Sequence, residues 1–348
     1  MSISTQASII ILAIFLANNS ALATTISKIA FGSCLHQNNP QFIWNSIAQY
    51  QPDIFLFTGD NIYADTKKPN VMLKKYNKLA NHQEYKNFVA STQVYATWDD
   101  HDYGANDAGS EYTQKKESQK LFQDFFNIPE NSPSRKRDGI YDSHLFGEKE
   151  NIIQLILLDT RYFRGPTIKK LPSIKCPRAN HGQQTDKKVT LLGSQQWSWL
   201  AQQLSHPAAL RIIVSSIQVI PTEHCWEKWS NFPHEREKLF NLLANTNANG
   251  VVFISGDRHL AEISKFQHKN ISYPLYEITS SGMNTRIHGK GEVNSYRTAA
   301  ENIQDNNFGL IEIDWAANPP QLKMNIINDV GKAVYSLPIN LNDINSNQ

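Results

Sequence analysis

Six predicted strands of this chain end in side chains that could bind a metal ion or a phosphate group. At these ends stand Cys34; Asp60 with Tyr63; Asp99, Asp100, His101 and Asn106; Arg161; Gln218; and Asp257 with His259. Most of these groups are oxygen donors, and they are joined by one thiol, one phenol and two imidazoles. Carboxylates crowded into one cleft cannot all stay ionised without a nearby cation, so this composition predicts a metal centre.

The densest of these strand ends is the segment DDHD at 99–102, with three carboxylates and one histidine in succession. Its charges would repel one another in a core or at a helix start unless a positive charge lay among them. Two metal ions about 3.5–4 Å apart can bind a phosphoryl group and lower the pKa of a water molecule. Arg161 has the planar fork that suits a phosphate, although the same fork could instead pair with Asp159.

The stretch Asp53–Asp65 (DIFLFTGDNIYAD) indicates how the fold presents such groups. Ile54–Thr58 is apolar, β-branched and aromatic without a turn residue, and the run ends abruptly at Asp60. This pattern predicts a buried strand with a carboxylate at its carboxyl end, where ligands collect in open α/β sheets. Lys28–Ser33 predicts an earlier strand, and helical spacing over Pro40–Tyr50 predicts the crossover helix of a right-handed βαβ unit.

The rest of the chain predicts a mixed α/β fold with two packed sheets. Strands are predicted over Val94–Trp98, Ile152–Arg164 and Arg211–Pro221 and from Val251, and helices over Lys67–Phe88, Lys115–Asn127, Gly193–Leu204 and His234–Thr246. Pro166–Lys188 is irregular and is predicted to be a rim or lid. The last third (YPLYEITSSG, FGLIEIDW, QLKMNII) has few helical segments, which predicts antiparallel strands added to the parallel core.

The overall charge argues against a nucleic-acid binder. The 348 residues carry 34 Lys and Arg against 32 Asp and Glu. Nucleic-acid binding depends on clustered positive charge, so we expect nucleic acid at most as a substrate. The hydrophobic share of 40% and the charged share of 19% are typical of a soluble globular protein, which we expect to be a monomer.

The N-terminus has the pattern of a signal peptide. Residues 7–17 (ASIIILAIFLA) are apolar, but they are too few to cross a bilayer, which needs about 20 residues. Ala21–Ala23 offers an AxA cleavage site. We therefore expect a cleaved signal peptide at 1–23, one domain at 24–345, and an exported (periplasmic or secreted) protein without a stable membrane anchor. The alternative is an uncleaved anchor or a buried N-terminal helix, because no Lys or Arg precedes the apolar run.

The chain has three cysteines, an odd number for an exported protein. Cys176 and Cys225 lie in irregular stretches, KCPR and TEHCWE, so a disulfide between them is the simplest prediction. Cys34, at the end of the first strand, is then left unpaired.

Together these motifs resemble the alkaline phosphatase D (PhoD-like) family of the calcineurin-like metallophosphoesterases. The resemblance is carried, in order, by GSC at Gly32, GDNIYAD at Gly59, TWDDHDYGAND at Thr97, LDTRYFR at Leu158, SSIQV at Ser215 and SGDRH at Ser255. It covers most of the chain between Cys34 and Met283. It implies a four-layer α/β/β/α sandwich with two mixed sheets and with metals at the sheet edges.

The resemblance also implies roles for single residues. Asp60 would bridge two metals, with Cys34 and Tyr63 serving iron(III) on one side and oxygen ligands serving calcium or another divalent ion on the other. Asp100 and Asn106 would be ligands of the second metal, and Asp257 and His259 would complete the cluster. His101 would act as general acid on the leaving group or bind the phosphate, and Arg161 would clamp the phosphate.

Two departures from the superfamily pattern affect the choice of metal. DDHD replaces the common GNH(D/E), and Gln218 stands where a histidine is usual. Fewer nitrogen ligands disfavour a di-zinc or iron–zinc centre and favour iron with calcium.

The sequence thus predicts an exported hydrolase that cleaves phosphate monoesters, diesters or both by attack of a metal-activated hydroxide. One alternative is a phospholipase D-like phosphodiesterase that uses the same site. A second is a hydrolase in which Cys34 attacks and His101 or His259 is the base. A third is a protein that binds phosphate or stores metal without turnover.

Overall fold

The structure is a computed structural model that describes residues 25–177, 180–286 and 292–345. Its strands and helices form two six-stranded sheets with helices packed on their outer faces. The predicted signal peptide at 1–23 lies outside the described residues. Within the described ranges, no helix is long and apolar enough to cross a membrane.

The first sheet, sheet A, contains the strand of the DIFLFTGD motif. In spatial order it comprises β14 (Ala333–Asn340), β13 (Gln321–Asn328), β12 (Asn307–Asp314), β1 (Lys28–Gly32), β2 (Ile54–Thr58) and β3 (Gln93–Thr97). Strands β1, β2 and β3 are parallel, so their carboxyl ends lie at one edge. Strand β12 pairs antiparallel with β1, with Ala30 opposite Leu310.

The second sheet, sheet B, has a parallel centre with one antiparallel strand on each side. It comprises β10 (Ala261–Phe266), β11 (Leu275–Ser280), β9 (Val251–Ser255), β8 (Leu210–Val214), β5 (Ile153–Leu157) and β4 (Asp142–Phe146). Strand β11 runs parallel to β9, so the prediction of an antiparallel strand was wrong for this segment. It is antiparallel only to the edge strand β10.

The helices complete four layers. The described residues contain seven α-helices: α1 (Ile43–Ala48), α2 (Pro69–Asn81), α3 (Gln83–Val89), α4 (Asp100–Tyr103), α5 (Lys115–Phe125), α6 (Gly193–Leu204) and α7 (Pro233–Asn245). Side chains of β2 alternate between two cores, as a strand buried on both faces requires. Phe55 and Phe57 pack with helices α1, α2, α3 and α5, whereas Ile54 and Leu56 join the core shared with sheet B and helices α6 and α7. The predicted four-layer α/β/β/α architecture is thereby confirmed.

The irregular region between β5 and α6 carries a two-stranded hairpin and a disulfide. The hairpin pairs β6 (Ile168–Lys169) with β7 (His181–Gly182). Cys176 and Cys225 form the predicted disulfide across 49 residues, and Cys34 is buried and unpaired. The disulfide ties this hairpin region to the loop that follows β8.

Candidate metal centre

The side chains predicted to form the site lie together where the carboxyl ends of parallel strands from the two sheets meet. Cys34 follows β1, Asp60 follows β2, and Asp257 and His259 follow β9. These four residues all have left-handed backbone conformations, with φ between 51° and 66°. A non-glycine residue in this region costs roughly 1–2 kcal/mol. Four such residues at one site indicate that the fold holds these side chains in place at an energetic cost, as functional sites commonly do.

The first ligand group joins a thiol, a carboxylate and an imidazole. Potential ligand atoms of Cys34, Asp60 and His259 all lie within 4.8 Å of one another. Sγ of Cys34 is 3.3 Å from Oδ2 of Asp60, and the Tyr63 hydroxyl is 2.9 Å from Nε2 of His259. The structure therefore brings together Cys34, Tyr63, Asp60 and His259 from three strand ends.

Two further ligand groups extend from the first. One comprises Asp60, Asp100 and His101, and the other comprises Asp99, Asp100 and Asp257; each set again lies within 4.8 Å. Asp60 is shared by the first two groups and Asp100 by the last two. Such sharing is the arrangement that two adjacent metal ions with bridging carboxylates require.

Asp99 supplies an observation that fits a bound cation. Its side chain is buried, and Oδ2 has no hydrogen-bond partner in the described part of the chain. A buried carboxylate oxygen without a donor is costly, and a metal ion would satisfy it. The sequence analysis placed Asp99 among the strand ends but gave it no ligand role, so this residue was missed.

The charges of the site also fit metal ions. Burial raises the pKa of Asp60 well above its usual value, and the neighbouring Cys34 and Asp100 raise it further. Burial raises the pKa of Asp257 to about 6, against the opposing effect of Arg258. Burial disfavours the charged forms of these carboxyls, and bound cations would offset this effect. The donor set therefore fits a binuclear centre, with softer donors at one position and oxygen donors at the other.

His101 belongs to the second ligand group, and its side chain remains partly accessible. Its Nδ1 is 2.7 Å from Oδ1 of Asp65, its ring is 4.4 Å from the ring of Tyr63, and its side chain is 19% exposed. Burial lowers its pKa, but the hydrogen bond to Asp65 and the charges of Asp60 and Asp100 outweigh this effect and raise the pKa to about 11. The carboxylates of Asp65, Asp60 and Asp100 therefore favour the protonated form of His101.

Arg161 occupies a buried position between two carboxylates. Its guanidinium contacts Oδ1 of Asp99 at 2.5 Å and Oε2 of Glu227 at 2.6 Å, and its side chain is 0% exposed. Asp159 accepts the backbone NH of Arg161 rather than pairing with its guanidinium. The alternative of an Arg–Asp ion pair is thus realised with Asp99, and Glu227 is a partner that no local pattern in the sequence had marked.

Two other predicted site residues, Asn106 and Gln218, lie at the margin of the three ligand groups. Asn106 is exposed, and it belongs to the loop whose Asp107 donates its backbone NH to Oδ2 of Asp100 at 2.6 Å. Gln218 is buried, and its amide donates to Glu262 at 2.9 Å and to Thr279 at 2.8 Å. The side chain at 218 is thus engaged with sheet B residues.

Asp102 is a structural residue of the site that the sequence analysis did not single out. Its carboxylate accepts the backbone NH groups of Asp99 at 2.8 Å and Asp60 at 3.2 Å, and the side-chain amide of Asn61 at 2.6 Å. It also caps the short helix α4 together with Asp99. One buried carboxylate therefore fixes the loops after β2 and β3 relative to each other.

Comparisons with known proteins identify relatives of this chain. A family model described as PhoD-like phosphatase matches residues 29–321. The chain is similar to "Alkaline phosphatase D" of Bacillus subtilis (strain 168), with 24% identity over 242 residues, which is 61% of this chain and 40% of that protein. The matched region thus spans less than half the length of this relative.

Two solved structures share the fold. The chain matches "Structure of PhoD" with a TM-score of 0.66 and 19% identity, over 91% of this chain and 69% of that one. It matches "GAP50 the anchor in the inner membrane complex of Plasmodium" with a TM-score of 0.57 and 14% identity, over 91% of this chain and 89% of that one. Since the family match spans most of the chain and includes every predicted ligand, the protein belongs to the PhoD-like phosphatase family.

Proposed function

We propose that this protein is a metal-dependent hydrolase of phosphate monoesters, diesters or both. The observation that carries the proposal is the chain of three ligand groups linked through Asp60 and Asp100. A storage or purely binding protein would not need a partly exposed histidine, oriented by Asp65, beside such a centre. The family match supports the same class of reaction.

The donor types support iron(III) at one position and calcium or another divalent ion at the other. Cys34, Tyr63, Asp60 and His259 would hold the iron, because a thiolate and a phenolate are anionic donors that suit a trivalent ion. Asp60, Asp100 and Asp257, joined by Asp99, would hold the divalent ion, which prefers oxygen. Bound metals would supply charge stabilisation for the phosphoryl oxygens and activation of the attacking water.

We assign His101 the role of general acid. It is the partly exposed, protonated group at the centre, and Asp65 orients its ring through Nδ1. From this position it would give a proton to the leaving oxygen of the ester. Metal ions at Asp60 and Asp100 would oppose the rise of its pKa, which brings the group closer to the range in which proton transfer is efficient.

Arg161 and Asn106 receive different roles in this proposal. Because Arg161 is fully buried and paired with Asp99 and Glu227, we propose that it positions Asp99 instead of clamping the phosphate. Asn106 is exposed on the loop that contacts Asp100, so we retain it as a ligand of the second metal or of the substrate.

The Cys34-dependent hydrolase is disfavoured by the environment of the thiol. Cys34 is 0% exposed, and burial raises its pKa to about 11. A nucleophilic cysteine needs an accessible thiolate of lowered pKa. Alkylation of metal-free native protein should therefore be slow at Cys34, and fast alkylation would favour this alternative.

The proposal is tested by metal removal and by the Asp60→Asn variant, with 4-nitrophenyl phosphate and bis(4-nitrophenyl) phosphate as substrates. We expect EDTA together with an iron chelator to abolish hydrolysis, and iron with calcium to restore it. Asp60→Asn should lose activity even with both metals present, whereas Asp343→Asn, an exposed carboxylate near the C-terminus, should retain it. Full activity after both metals are shown to be gone would overturn the proposal.

We also propose that the protein is exported and monomeric. N-terminal sequencing of protein recovered from outside the cytoplasm should begin at Thr24. Recovery of full-length chain starting at Met1 would contradict cleavage. Light scattering should give a mass close to one chain.

A further inference from the structure

Four basic side chains, which we call the basic cluster, lie beside the metal centre and have no role in the proposal above. They are His181, His224, Lys228 and Arg258. His181 belongs to β7, whereas His224 and Lys228 lie in the loop after β8, and the backbone NH of His181 donates to the carbonyl of Cys225 at 2.9 Å. Arg258 stands between Asp257 and His259 after β9.

The cluster is buried, yet several of its nitrogen atoms have no hydrogen-bond partner in the described part of the chain. His224 is 7% exposed, and the side chains of His181 and Arg258 are 4% and 5% exposed. Across the described ranges, Nδ1 of His181, Nε2 of His224 and Nε of Arg258 have no hydrogen-bond partner. The ammonium of Lys228 donates to the carbonyl of Trp226 at 3.0 Å. Buried donors are normally paired, so several left open in one place indicate a site that an acceptor fills.

Electrostatic effects show that the four groups lie close together. Burial lowers the pKa of His224 well below its usual value, and Arg258, Lys228 and His181 lower it further. Burial and Arg258 lower the pKa of Lys228 to about 8, against the opposing effects of Glu292 and Glu227. A bound anion would favour the protonated forms of these groups.

The nearby carboxylates leave several nitrogens of the cluster unpaired. Glu292 pairs with Arg258 and also raises the pKa of Lys228. Glu227 is held by Arg161 and Arg164. The remaining carboxylates, Asp107 and Asp257, contact the cluster only at 3.7 Å from His181 and 3.5 Å from Arg258. Among the residues that the structure describes, none of these carboxylates is a hydrogen-bond partner of Nδ1 of His181, Nε2 of His224 or Nε of Arg258.

These last two contacts place the cluster next to the metal ligands. Asp257 is itself a ligand candidate, and Asp107 donates its backbone NH to Oδ2 of Asp100. A substrate whose scissile phosphate lies at the metal centre could therefore reach the cluster with its next anionic group. Histidine, lysine and arginine donors together are suited to phosphate oxygens.

We propose that the basic cluster of His181, His224, Lys228 and Arg258 is a second phosphate subsite, which binds a phosphate group of the substrate other than the one that is hydrolysed. The subsite deepens the proposed function, on which it rests. It assigns to the enzyme phosphate esters that carry at least one further phosphate, in preference to esters with a single phosphate.

The first test compares two chromogenic diesters with the same leaving group, thymidine 5′-(4-nitrophenyl phosphate) and its 3′-phosphorylated analogue. We expect the added phosphate to raise kcat/KM by about tenfold or more, mainly through KM, because a charge-assisted hydrogen bond contributes at least that factor. Lys228→Gln and His224→Gln should bring the ratio of the two kcat/KM values, with and without the added phosphate, close to one. Lys228→Arg, which keeps the charge, should preserve most of it.

A second test measures binding without turnover. Calorimetric titration of the chelated protein with inorganic pyrophosphate should show one site, and Lys228→Gln should weaken it about tenfold or more. Lys332→Gln, an exposed lysine in the turn between β13 and β14, is the matched control and should bind as the unchanged protein does. Circular dichroism of each variant verifies folding.

The outcomes separate the two proposals. If no ester is hydrolysed but pyrophosphate binds and Lys228→Gln weakens it, the proposed function fails and the anion subsite stands. If Lys228→Gln lowers kcat/KM equally for both diesters, the inference is overturned, because the lysine would then bind the scissile phosphate. Absence of pyrophosphate binding, or binding that Lys228→Gln leaves unchanged, would also overturn it.

Discussion

Sγ of Cys34 lies 3.3 Å from Oδ2 of Asp60, although the two residues are 26 positions apart in the sequence. The distance follows from the parallel pairing of β1 and β2, in which Gly32 lies opposite Phe57. Each strand then continues into a left-handed residue, with φ of 58° at Cys34 and 51° at Asp60. Both side chains therefore turn into the same cleft, where a thiolate and a carboxylate can share one ion.

His101→Gln should reveal general-acid catalysis through the leaving group. A general acid contributes about 10²–10⁴-fold, and its contribution is smallest when the leaving group needs no proton. We expect kcat for phenyl phosphate to fall by about 100-fold, and kcat for 4-nitrophenyl phosphate to fall less. Equal losses for the two esters would show that His101 binds the phosphate instead.

Removal of the Asp102 carboxylate should destabilise the fold. Asp102→Ala would leave the NH groups of Asp99 and Asp60 and the amide of Asn61 without their acceptor. Buried donors left unpaired cost about 1–3 kcal/mol each, so we expect the free energy of unfolding to fall by about 3 kcal/mol or more. Asp102→Asn keeps one acceptor oxygen and should lose less. Urea denaturation of the metal-free proteins measures the loss of stability in each variant. Equal stability of Asp102→Ala and the unchanged protein would contradict the structural role of Asp102.

The stability of the protein should fall as the pH rises from about 4.5 to about 7 because of Glu277. Its buried carboxyl accepts the NH groups of Val219 and Ile220, and burial raises its pKa from 4.5 to about 7. The folded state therefore binds more protons than the unfolded state between these values, so the free energy of unfolding decreases with pH there and levels off above. The total effect is on the order of 3 kcal/mol.

Glu277→Gln isolates this contribution. Other buried carboxyls, such as Asp102 with a pKa of about 7, act in the same direction. The test therefore compares how steeply the free energy of unfolding changes with pH in the variant and in the unchanged protein. Chemical denaturation between pH 4.5 and 8 should give a flatter dependence for Glu277→Gln. Identical slopes would show that Glu277 does not titrate in this range.

The disulfide should stabilise the region that carries the basic cluster. Its 49-residue separation predicts a contribution of about 4 kcal/mol from restriction of the unfolded chain. The double variant Cys176→Ser/Cys225→Ser should therefore have a lower Tm. It should also bind pyrophosphate more weakly, because the loop whose Cys225 carbonyl accepts the backbone NH of His181 loses its covalent link. Cys34→Ser, which leaves the disulfide intact, is the control, and all proteins are compared after chelation. An unchanged Tm in the double variant would contradict the prediction.

Several residues of the site could be predicted from the sequence, because a local pattern of apolar residues marks the strands at whose ends they lie. Apolar runs without turn residues marked β1, β2 and β9, and the carboxyl ends of parallel strands must meet at one edge. Cys34, Asp60 and Asp257 followed from this rule. The edge strands β4 and β14 were missed because their residues are only partly buried, so their patterns lack a continuous apolar run.

What the sequence could not predict depends on contacts between distant segments. The partner of Arg161 is Glu227, 66 residues away in a loop that shows no periodic pattern. The role of Asp102 arises from NH groups of the neighbouring strand end, and it became visible only once β2 and β3 were paired. The basic cluster likewise assembles from three separate segments. Side chains that act through such assembly carry no local signal.

Metal analysis of the purified protein tests the central claim most directly. X-ray fluorescence should find about one iron per chain together with a divalent ion such as calcium, as expected for a two-metal centre. Cys34→Ser and Tyr63→Phe should each reduce the iron content while the divalent ion is retained. Zinc alone in the unchanged protein, or iron that both variants retain in full, would contradict an iron site built on Cys34, Tyr63 and Asp60.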